Sequence, residues 1–470
     1  MEDGKDEKVK VTVKSKQGDM LKRVAEAPAE FLDKTIDTTE KMVKSVPTGA
    51  VIRKTKDYWH MLGPGLTTGA SDDDPSGIAT YSQTGSQFGF QFIWLSVFTF
   101  PLMAAVQEMC ARIGFVTGRG LAGNIRRHFP RKMLYFATML LFAANAFNIG
   151  ADLGAMAQAA KLLWPNLHVT WLVIGFALLS LLMQIMTPYA KYARYLKWLA
   201  LVLLAYIFSA FLAHLSWGDV FRQGFSFKMQ FNKEQILLVC AILGTTISPY
   251  LFFWQTSQEV EDMIAAGQTS IKQREGATKQ DIKNMRIDVW SGMLLSNVVM
   301  FFIIAACGGV LYKAGITNIT SAAQAAEALR PFAGNNATVL FSIGVICTGL
   351  LAIPVLAGSS SYAIAESLAW QSGLNRKLKQ AYAFYGVIII SMLVGLGMNF
   401  IGLDPIKALI YSAVGNGLVA PIILAFIVLI SSNHKIMGEW TNKHSTTVVG
   451  WFVTGLMAVA GIAAIVSMFA

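Results

Sequence analysis

The chain of 470 residues is 54% hydrophobic and only 14% charged, and its mean hydropathy is +0.49. Soluble domains carry about 25% charged residues, so this composition excludes an ordinary soluble protein and predicts a multi-pass protein of the lipid bilayer. The net charge of +11 does not indicate a nucleic-acid partner, because thirteen of the 39 Lys and Arg residues lie in the first 60 positions. Most of the others lie in short loops between apolar segments.

The chain begins with a polar segment. Residues 1–56 are rich in Lys, Glu and Asp, and they lack the central apolar region of a cleavable signal peptide. We expect a cytoplasmic tail over 1–56 and a transmembrane domain over 57–470.

Eleven apolar segments follow this tail, and each reaches the length of about 20 residues that a spanning helix needs, the third and eighth being longer than a straight span requires. Predicted spans 1 to 11 cover residues 61–82, 88–115, 132–162, 168–188, 195–214, 234–263, 286–312, 337–367, 380–400, 404–431 and 447–469. The four cysteines lie in these segments without CxxC spacing, so we expect core residues rather than disulfides or zinc ligands: Cys110, Cys240, Cys307 and Cys347.

The basic residues predict the orientation of the chain. With the N-terminus inside, the inner loops carry nineteen Lys and Arg and the outer loops carry seven. The positive-inside rule therefore predicts a cytoplasmic N-terminus and a C-terminus outside, in a plasma (inner) membrane protein.

Two of the predicted spans are interrupted at their centres. Span 1 contains "GASDDDPSGIATYSQ" and span 6 contains "CAILGTTISPYLFFWQTSQEVED", with Pro75 and Pro249 at the interruptions. Proline removes a backbone donor and clashes with the preceding turn, so both helices should break. Broken helices in corresponding positions of two halves indicate an inverted repeat, with repeat one over 61–214, repeat two over 234–431 and an extra helix over 447–469.

The interruption in span 1 carries three consecutive aspartates. A carboxylate costs about 2.5–3.5 kcal/mol at the centre of a lipid-facing helix, so these side chains should face a wet cavity and attract cations. The alternative is that the helix begins only after Gly77 and that the aspartates form an N-cap at the membrane interface.

Several motifs together resemble the Nramp divalent-metal transporters. "GPGL" followed by "DPSG" is similar to their first helix, which carries Asp-Pro-Gly-Asn, and "QEMCARIGFVTGRGL" is similar to their second helix. "GTTISPYLFFWQTS" resembles their sixth helix, where the family has Met-Pro-His, and "LDPIKALIYSAV" and "SSNHKIMGEW" resemble the tenth helix and the turn after it. The resemblance covers roughly residues 57–470. It implies an all-α membrane protein with the leucine-transporter-type fold, an inverted repeat of five plus five helices, and inward transport of divalent metals.

The family's ligand positions fall on altered residues. Its metal-binding aspartate falls on Asp74, and its helix-6 carbonyl ligand falls on Thr245. The positions of its asparagine, methionine and glutamine ligands are occupied by residues with different chemistry, namely Gly77, Ser248 and Ala413. The resemblance also places the family's helix-6 histidines on Tyr250 and Gln255, and its proton-route aspartate on Asp152, whose acidic neighbour is replaced by Ala155. We assign Asp152, Tyr250 and Gln255 as a possible proton route or second shell.

The altered ligands change the expected metal. A thioether is a soft ligand suited to transition metals, whereas the hydroxyl of Ser248 is hard and smaller. Mg²⁺ dehydrates reluctantly and keeps several waters, so a roomier oxygen-only site suits it. This pattern resembles the Nramp-related magnesium transporters, which also lack the methionine. We predict transport of Mg²⁺ and also of Mn²⁺ at a site that includes Asp73, with Asp72 lining the approach and Asn416 supplying a replacement oxygen.

Proton coupling is expected to be lost. All six histidines lie at predicted helix ends or in loops, and none lies at the centre of a broken helix: His60, His128, His168, His214, His434 and His444. Two alternatives stay open, a transporter of the same fold for a non-metal substrate such as an organic cation, and a proton-coupled transition-metal importer. We expect no enzymatic activity, no cofactor and a monomer.

Charged residues also lie at the predicted inner helix ends. Glu108 and Arg112 are expected to form an i,i+4 pair or a gate contact. Glu259, Glu261 and Asp262 are interpreted either as an exit vestibule or as interfacial charges.

Overall fold

A computed structural model describes residues 63–186, 203–227 and 229–469, and the regular secondary structure within these ranges is entirely helical. The predicted 1–56 tail, His60 and residues 187–202 of the predicted fourth and fifth spans lie outside the described residues.

The helices of at least eight residues are numbered here in chain order. The first eight are α1 (Pro64–Asp72), α2 (Pro75–Phe88), α3 (Trp94–Thr117), α4 (Leu121–His128), α5 (Arg131–Leu163), α6 (Val169–Met186), α7 (Leu204–Leu212) and α8 (Trp217–Gly224). The next seven are α9 (Lys233–Thr246), α10 (Pro249–Ala265), α11 (Lys279–Cys307), α12 (Ala337–Leu368), α13 (Tyr382–Met398), α14 (Pro405–Ser431) and α15 (His444–Phe469). Shorter helical turns cover Ile271–Arg274, Gly308–Tyr312, Ala322–Ala326, Glu327–Leu329, Arg330–Ala333, Gly334–Asn336, Leu378–Gln380, His434–Met437 and Gly438–Trp440.

The eleven predicted spans are not confirmed by the described part of the chain. In the described ranges, eight helical stretches are long and apolar enough to cross a membrane, or nine if the pair α7 and α8, bent by 114°, forms one span. Predicted span 1 is divided into helices of nine and fourteen residues, each too short alone. Helix α13 has 17 residues, and part of predicted span 5 lies outside the described residues.

Both predicted interruptions are present. Helix α1 ends at Asp72 and α2 begins at Pro75, while α9 ends at Thr246 and α10 begins at Pro249. Each proline occupies the first turn of the second half-helix, where its missing N–H needs no partner. The sequence therefore stops one helix and starts another at the same proline.

Glycines allow the broken helices to pack closely on their neighbours. A Cβ on Gly69 of α1 would collide with the backbone of Gly292 on α11. A Cβ on Gly244 of α9 would collide with the backbone of Ala413 and Gly417 on α14. Small residues permit such backbone contact between membrane helices, and it fixes both breaks against long helices. The four cysteines are buried and free, as predicted.

Candidate functional site

Asp74 lies at the first break, and its carboxylate accepts three hydrogen bonds. It caps α2, because its Oδ1 accepts hydrogen bonds from the Gly77 amide at 2.7 Å and from the Ser76 hydroxyl at 2.6 Å. Its Oδ2 accepts a bond from the side-chain amide of Asn148 on α5 at 3.0 Å. The Asn148 oxygen in turn accepts a bond from Ser412 on α14 at 2.8 Å. Asp74 thus caps α2, but the alternative as stated is wrong, because α2 begins at Pro75 rather than after Gly77, α1 precedes the cap and the cap is buried inside the protein.

The two preceding aspartates contact α11. The Ser296 hydroxyl donates to Oδ2 of Asp72 at 2.7 Å and approaches Oδ1 of Asp73 at 3.4 Å. Asp72 is fully buried rather than exposed along an open approach, and its Oδ1 has no hydrogen-bond partner in the described part of the chain. Asp73 and Asp74 are only 1% exposed.

Among the described residues, none of the three carboxylates has a cationic partner. The ion pairs found there join arginines to other acids and leave Asp72, Asp73 and Asp74 without one. Burying unpaired carboxylates is costly unless a cation or several hydrogen bonds compensate. The first break therefore has the electrostatics of a cation site.

The second break lies against the first. The Tyr250 hydroxyl donates to the Ser71 carbonyl at 3.2 Å, which joins α10 to the end of α1. The Thr245 hydroxyl oxygen lies 3.2 Å from the position that a Cβ on Gly77 would take. The absence of a side chain at Gly77 thus leaves room for the hydroxyl of Thr245.

Ser248 lies at the second break, where it precedes α10 and is fully buried. Its hydroxyl donates to the carbonyls of Gly244 and Thr245 at 2.8 and 2.5 Å. The Thr245 carbonyl, which the resemblance assigns to the metal, is therefore engaged with Ser248. Each of these oxygens keeps a further lone pair with which it can contact a cation.

The remaining predicted site residues differ in their surroundings. Asn416 on α14 is buried, and neither atom of its side-chain amide has a hydrogen-bond partner among the residues described. Asp152 on α5 is buried beside the carboxylate of Asp74. Gln255 donates instead to Oε1 of Glu259 at 2.8 Å, farther along α10.

Four polar residues at this site were missed by the sequence analysis, namely Ser76, Asn148, Ser296 and Ser412. Asn148 carries a signal that could have been used, because it lies one helical turn before Asp152 in the otherwise apolar stretch "FNIGADLG". An amide in a membrane helix usually has a partner inside the protein. The serines are too common in apolar helices to be singled out.

The charged residues at the helix ends form their own contacts. Arg112 lies 3.7 Å from Glu108, as the i,i+4 spacing predicts, and Glu108 also accepts bonds from Arg286 and Trp290 at 2.8 Å each. Glu261 is buried and accepts a bond from Tyr362 at 3.0 Å. The interfacial interpretation is wrong for Glu259 and Glu261, which are buried, whereas Asp262 is exposed.

Histidine and thiol ligands are not part of the site. The five histidines in the described ranges lie at helix ends or between helices. No group of three His, Cys, Asp or Glu side chains in those ranges has metal-binding geometry. A cation at the breaks would therefore meet a few carboxylate, hydroxyl and carbonyl oxygens.

Comparison with known proteins identifies the family. Residues 65–467 match the family described as Nramp, natural resistance-associated macrophage protein-like. The chain is 25% identical over 402 residues to the divalent metal cation transporter MntH of Klebsiella pneumoniae (strain 342), an alignment that covers 84% of this chain and 91% of that one.

Solved structures confirm the fold. The manganese transporter of Eremococcus coleocola matches with a TM-score of 0.67 and 18% identity, covering 90% of this chain and 89% of that one. The transporter Mhp1, of the nucleobase-cation-symport-1 family, matches with a TM-score of 0.53 and 15% identity, covering 86% of this chain and 91% of that one. The predicted all-α, leucine-transporter-type fold is confirmed, and the chain belongs to the Nramp family.

Proposed function

We propose that this protein transports hard divalent cations into the cell by alternating access, with Mg²⁺ as the principal substrate and Mn²⁺ as a second one. The observation that carries the proposal is the set of three consecutive buried carboxylates, Asp72 to Asp74, without a Lys or Arg partner in the described part of the chain. They lie where two broken helices meet, which is the usual place for ion binding in transporters of this architecture.

Similarity to named relatives supports a divalent metal as cargo. One relative is a divalent metal cation transporter and another is a manganese transporter. The manganese transporter is only 18% identical to this chain, so that comparison is limited to the fold.

The donor set favours a hard ion that keeps water. The side chains nearest the breaks are carboxylates and hydroxyls, and Ser248 replaces the family's thioether. Mg²⁺ prefers oxygen ligands and usually retains several waters, so it needs few ligands from the protein. Water molecules would also satisfy buried polar atoms such as Oδ1 of Asp72 and the amide of Asn416.

We further propose that transport is not coupled to protons. The histidines of the described ranges are remote from both breaks, and histidine is the side chain most easily set to titrate near neutral pH. The membrane potential supplies about 2.3 kcal/mol per charge per 100 mV, so a dication entering the cell gains about twice this amount. The distribution of basic residues supports a plasma-membrane location with the N-terminus inside, and we propose a monomer.

Flux into proteoliposomes tests the proposal. We expect Mg²⁺ and Mn²⁺ to enter liposomes that contain the protein, and Asp74→Ala to abolish entry in a variant that stays folded although it loses the cap of α2. Ser76→Ala keeps the carboxylate and removes one of its hydrogen bonds, so it should slow flux only in part. If neither ion enters although the wild-type protein is folded, the proposal of metal transport is wrong.

A pH-sensitive dye inside the liposomes tests proton coupling. It should show no acidification during uptake, and acidification in step with metal entry would contradict uncoupled transport.

A further inference from the structure

A polar cavity lies at a different place in the fold from the three aspartates, none of which lines it. It has a volume of about 270 Å³ and lies where α3 ends, around α4 and beside the helical turn His434–Met437. Its charged lining consists of Arg119, Arg127, His128, Lys435 and Glu275. The basic distribution of the loops places this cavity on the predicted cytoplasmic side.

Hydrogen bonds fix two polar residues that line the cavity, Thr117 and Asn124. The side-chain amide of Asn124 donates to the Thr117 hydroxyl at 2.9 Å and to the carbonyls of Arg119 and Gly120 at 3.1 and 3.0 Å. The Thr117 hydroxyl donates to the Ile113 carbonyl at 2.6 Å. These bonds fix α4 relative to the end of α3, so the basic side chains extend from a rigid base.

The loop that carries Glu275 is also fixed. Arg274 donates to the carbonyls of Gln268 and Thr269 at 2.8 Å each, and the Gly276 amide donates to the Val116 carbonyl at 3.1 Å. Glu275 itself makes one long ion pair, at 3.8 Å to Arg119, and its side chain is 51% exposed. Such a pair is weak, so Arg119 remains available to bind another anion.

The cavity carries an excess of positive charge. Arg119, Arg127 and Lys435 outnumber Glu275, and His128 can add a further charge. Guanidinium groups match phosphate oxygens through paired N–H donors. Basic pockets between membrane helices on the cytoplasmic side have the right position for acidic lipid headgroups.

We propose that this cavity binds a phosphate-bearing anion, held by Arg119, Arg127 and Lys435. The same chemistry is offered by the headgroup of an acidic phospholipid and by a soluble phosphate compound. The site is separate from the cation site, and its occupancy does not depend on the transported ion.

Equilibrium binding tests the site with defined probes. We would measure pyrophosphate binding by calorimetry in Mg²⁺-free buffer, on the full chain in nanodiscs of phosphatidylcholine. The double variant R127Q/K435Q should weaken binding by at least about tenfold, because it removes two charge-assisted contacts. The control R126Q/R131Q removes the same charge from neighbouring residues that do not line the cavity, and it should change binding less than about twofold.

A second arm separates the two sources of phosphate. In nanodiscs that contain phosphatidylglycerol, suppression of pyrophosphate binding to the wild type, but not to R127Q/K435Q, would identify a lipid headgroup as occupant. Unchanged pyrophosphate binding in those nanodiscs would identify a soluble anion. The proposal is overturned if neither probe binds the folded protein, or if the control double variant loses as much affinity as R127Q/K435Q. Cation flux of the same variants, measured separately in proteoliposomes, keeps this result independent of the proposed transport.

Discussion

The side-chain amide of Asn148 donates to Oδ2 of Asp74 at 3.0 Å, and this bond joins α5 to the first helix break. The orientation of the amide is set by Ser412, which donates to its oxygen at 2.8 Å. The resemblance places the family's asparagine ligand at Gly77, which has no side chain. Asn148 supplies an amide to the same carboxylate from another helix, but as a hydrogen-bond donor.

Asn148→Ala should therefore weaken cation binding. Loss of a hydrogen bond to a charged group costs about 1.5–3 kcal/mol, which corresponds to at least about a tenfold loss of Mg²⁺ affinity in calorimetry. Asn145→Ala is the matched control, because Asn145 lies on the same helix and bonds instead to Leu356, Ser359 and Ser360 of α12. The control should lower thermal stability and leave Mg²⁺ affinity unchanged. Equal affinity losses in both variants would contradict a specific role for Asn148.

The helix breaks could be predicted from the sequence because proline and consecutive aspartates have strong local effects. Pro75 and Pro249 each remove the donor of one i→i−4 hydrogen bond, and both breaks lie at those prolines. The contacts of the site depend instead on which helices pack together. Ser296 reaches Asp72 across 224 residues of chain, and no local pattern in α11 indicates this partner. The bend between α7 and α8 also escaped prediction, because a short amphipathic helix such as Trp217–Gly224 is indistinguishable from a loop by hydropathy alone.

Ser248→Met should change the selectivity of the site. The serine is fully buried and its hydroxyl donates to the Gly244 and Thr245 carbonyls of the preceding turn, so methionine would replace a hard oxygen by a soft thioether and add volume. We expect Cd²⁺ binding to strengthen and Mg²⁺ flux to fall, both measured in the same proteoliposome preparation. Ser248→Ala removes the hydroxyl without adding sulfur. An equal gain of Cd²⁺ affinity in the alanine variant would show that the thioether is not the cause.

Asp288 on α11 accepts hydrogen bonds from the backbone at the beginning of α1. Its carboxylate accepts bonds from the amides of Gly63, Gly65 and Leu66 at 2.8, 2.6 and 3.1 Å. Asp288→Asn replaces one acceptor oxygen by a donor, so we expect faster hydrogen exchange of the Gly65 and Leu66 amides and a changed rate of cation flux.

Asp281→Asn serves as the control for Asp288. Asp281 lies on the same helix, and its carboxylate bonds to Thr278 within the cap of α11. This variant loses the same charge and should leave exchange in α1 unchanged. If Asp288→Asn also leaves α1 protected, the carboxylate does not restrain that half-helix.

His128 gives the basic cavity a testable pH dependence. Partial burial and the nearby charges of Arg127 and Arg119 lower the pKa of His128 below its ordinary value, so the imidazole is neutral at pH 7 in the absence of an anion. An anion in the cavity favours the protonated form and raises that pKa, so binding takes up a proton and strengthens as pH falls. Lys435 and Glu275 line the same cavity.

The measurement uses a phosphodiester headgroup such as phosphatidylglycerol, whose charge stays constant between about pH 5.5 and 7.5, where an ordinary His titrates. Affinity of the wild-type protein should rise as pH falls through this interval. His128→Gln should remove the dependence while leaving affinity at the upper end within about twofold, because the neutral ring adds no charge there. His434→Gln is the matched control, since His434 lies on the adjacent helical turn but does not line the cavity. A pH dependence that persists in His128→Gln would contradict the role of His128.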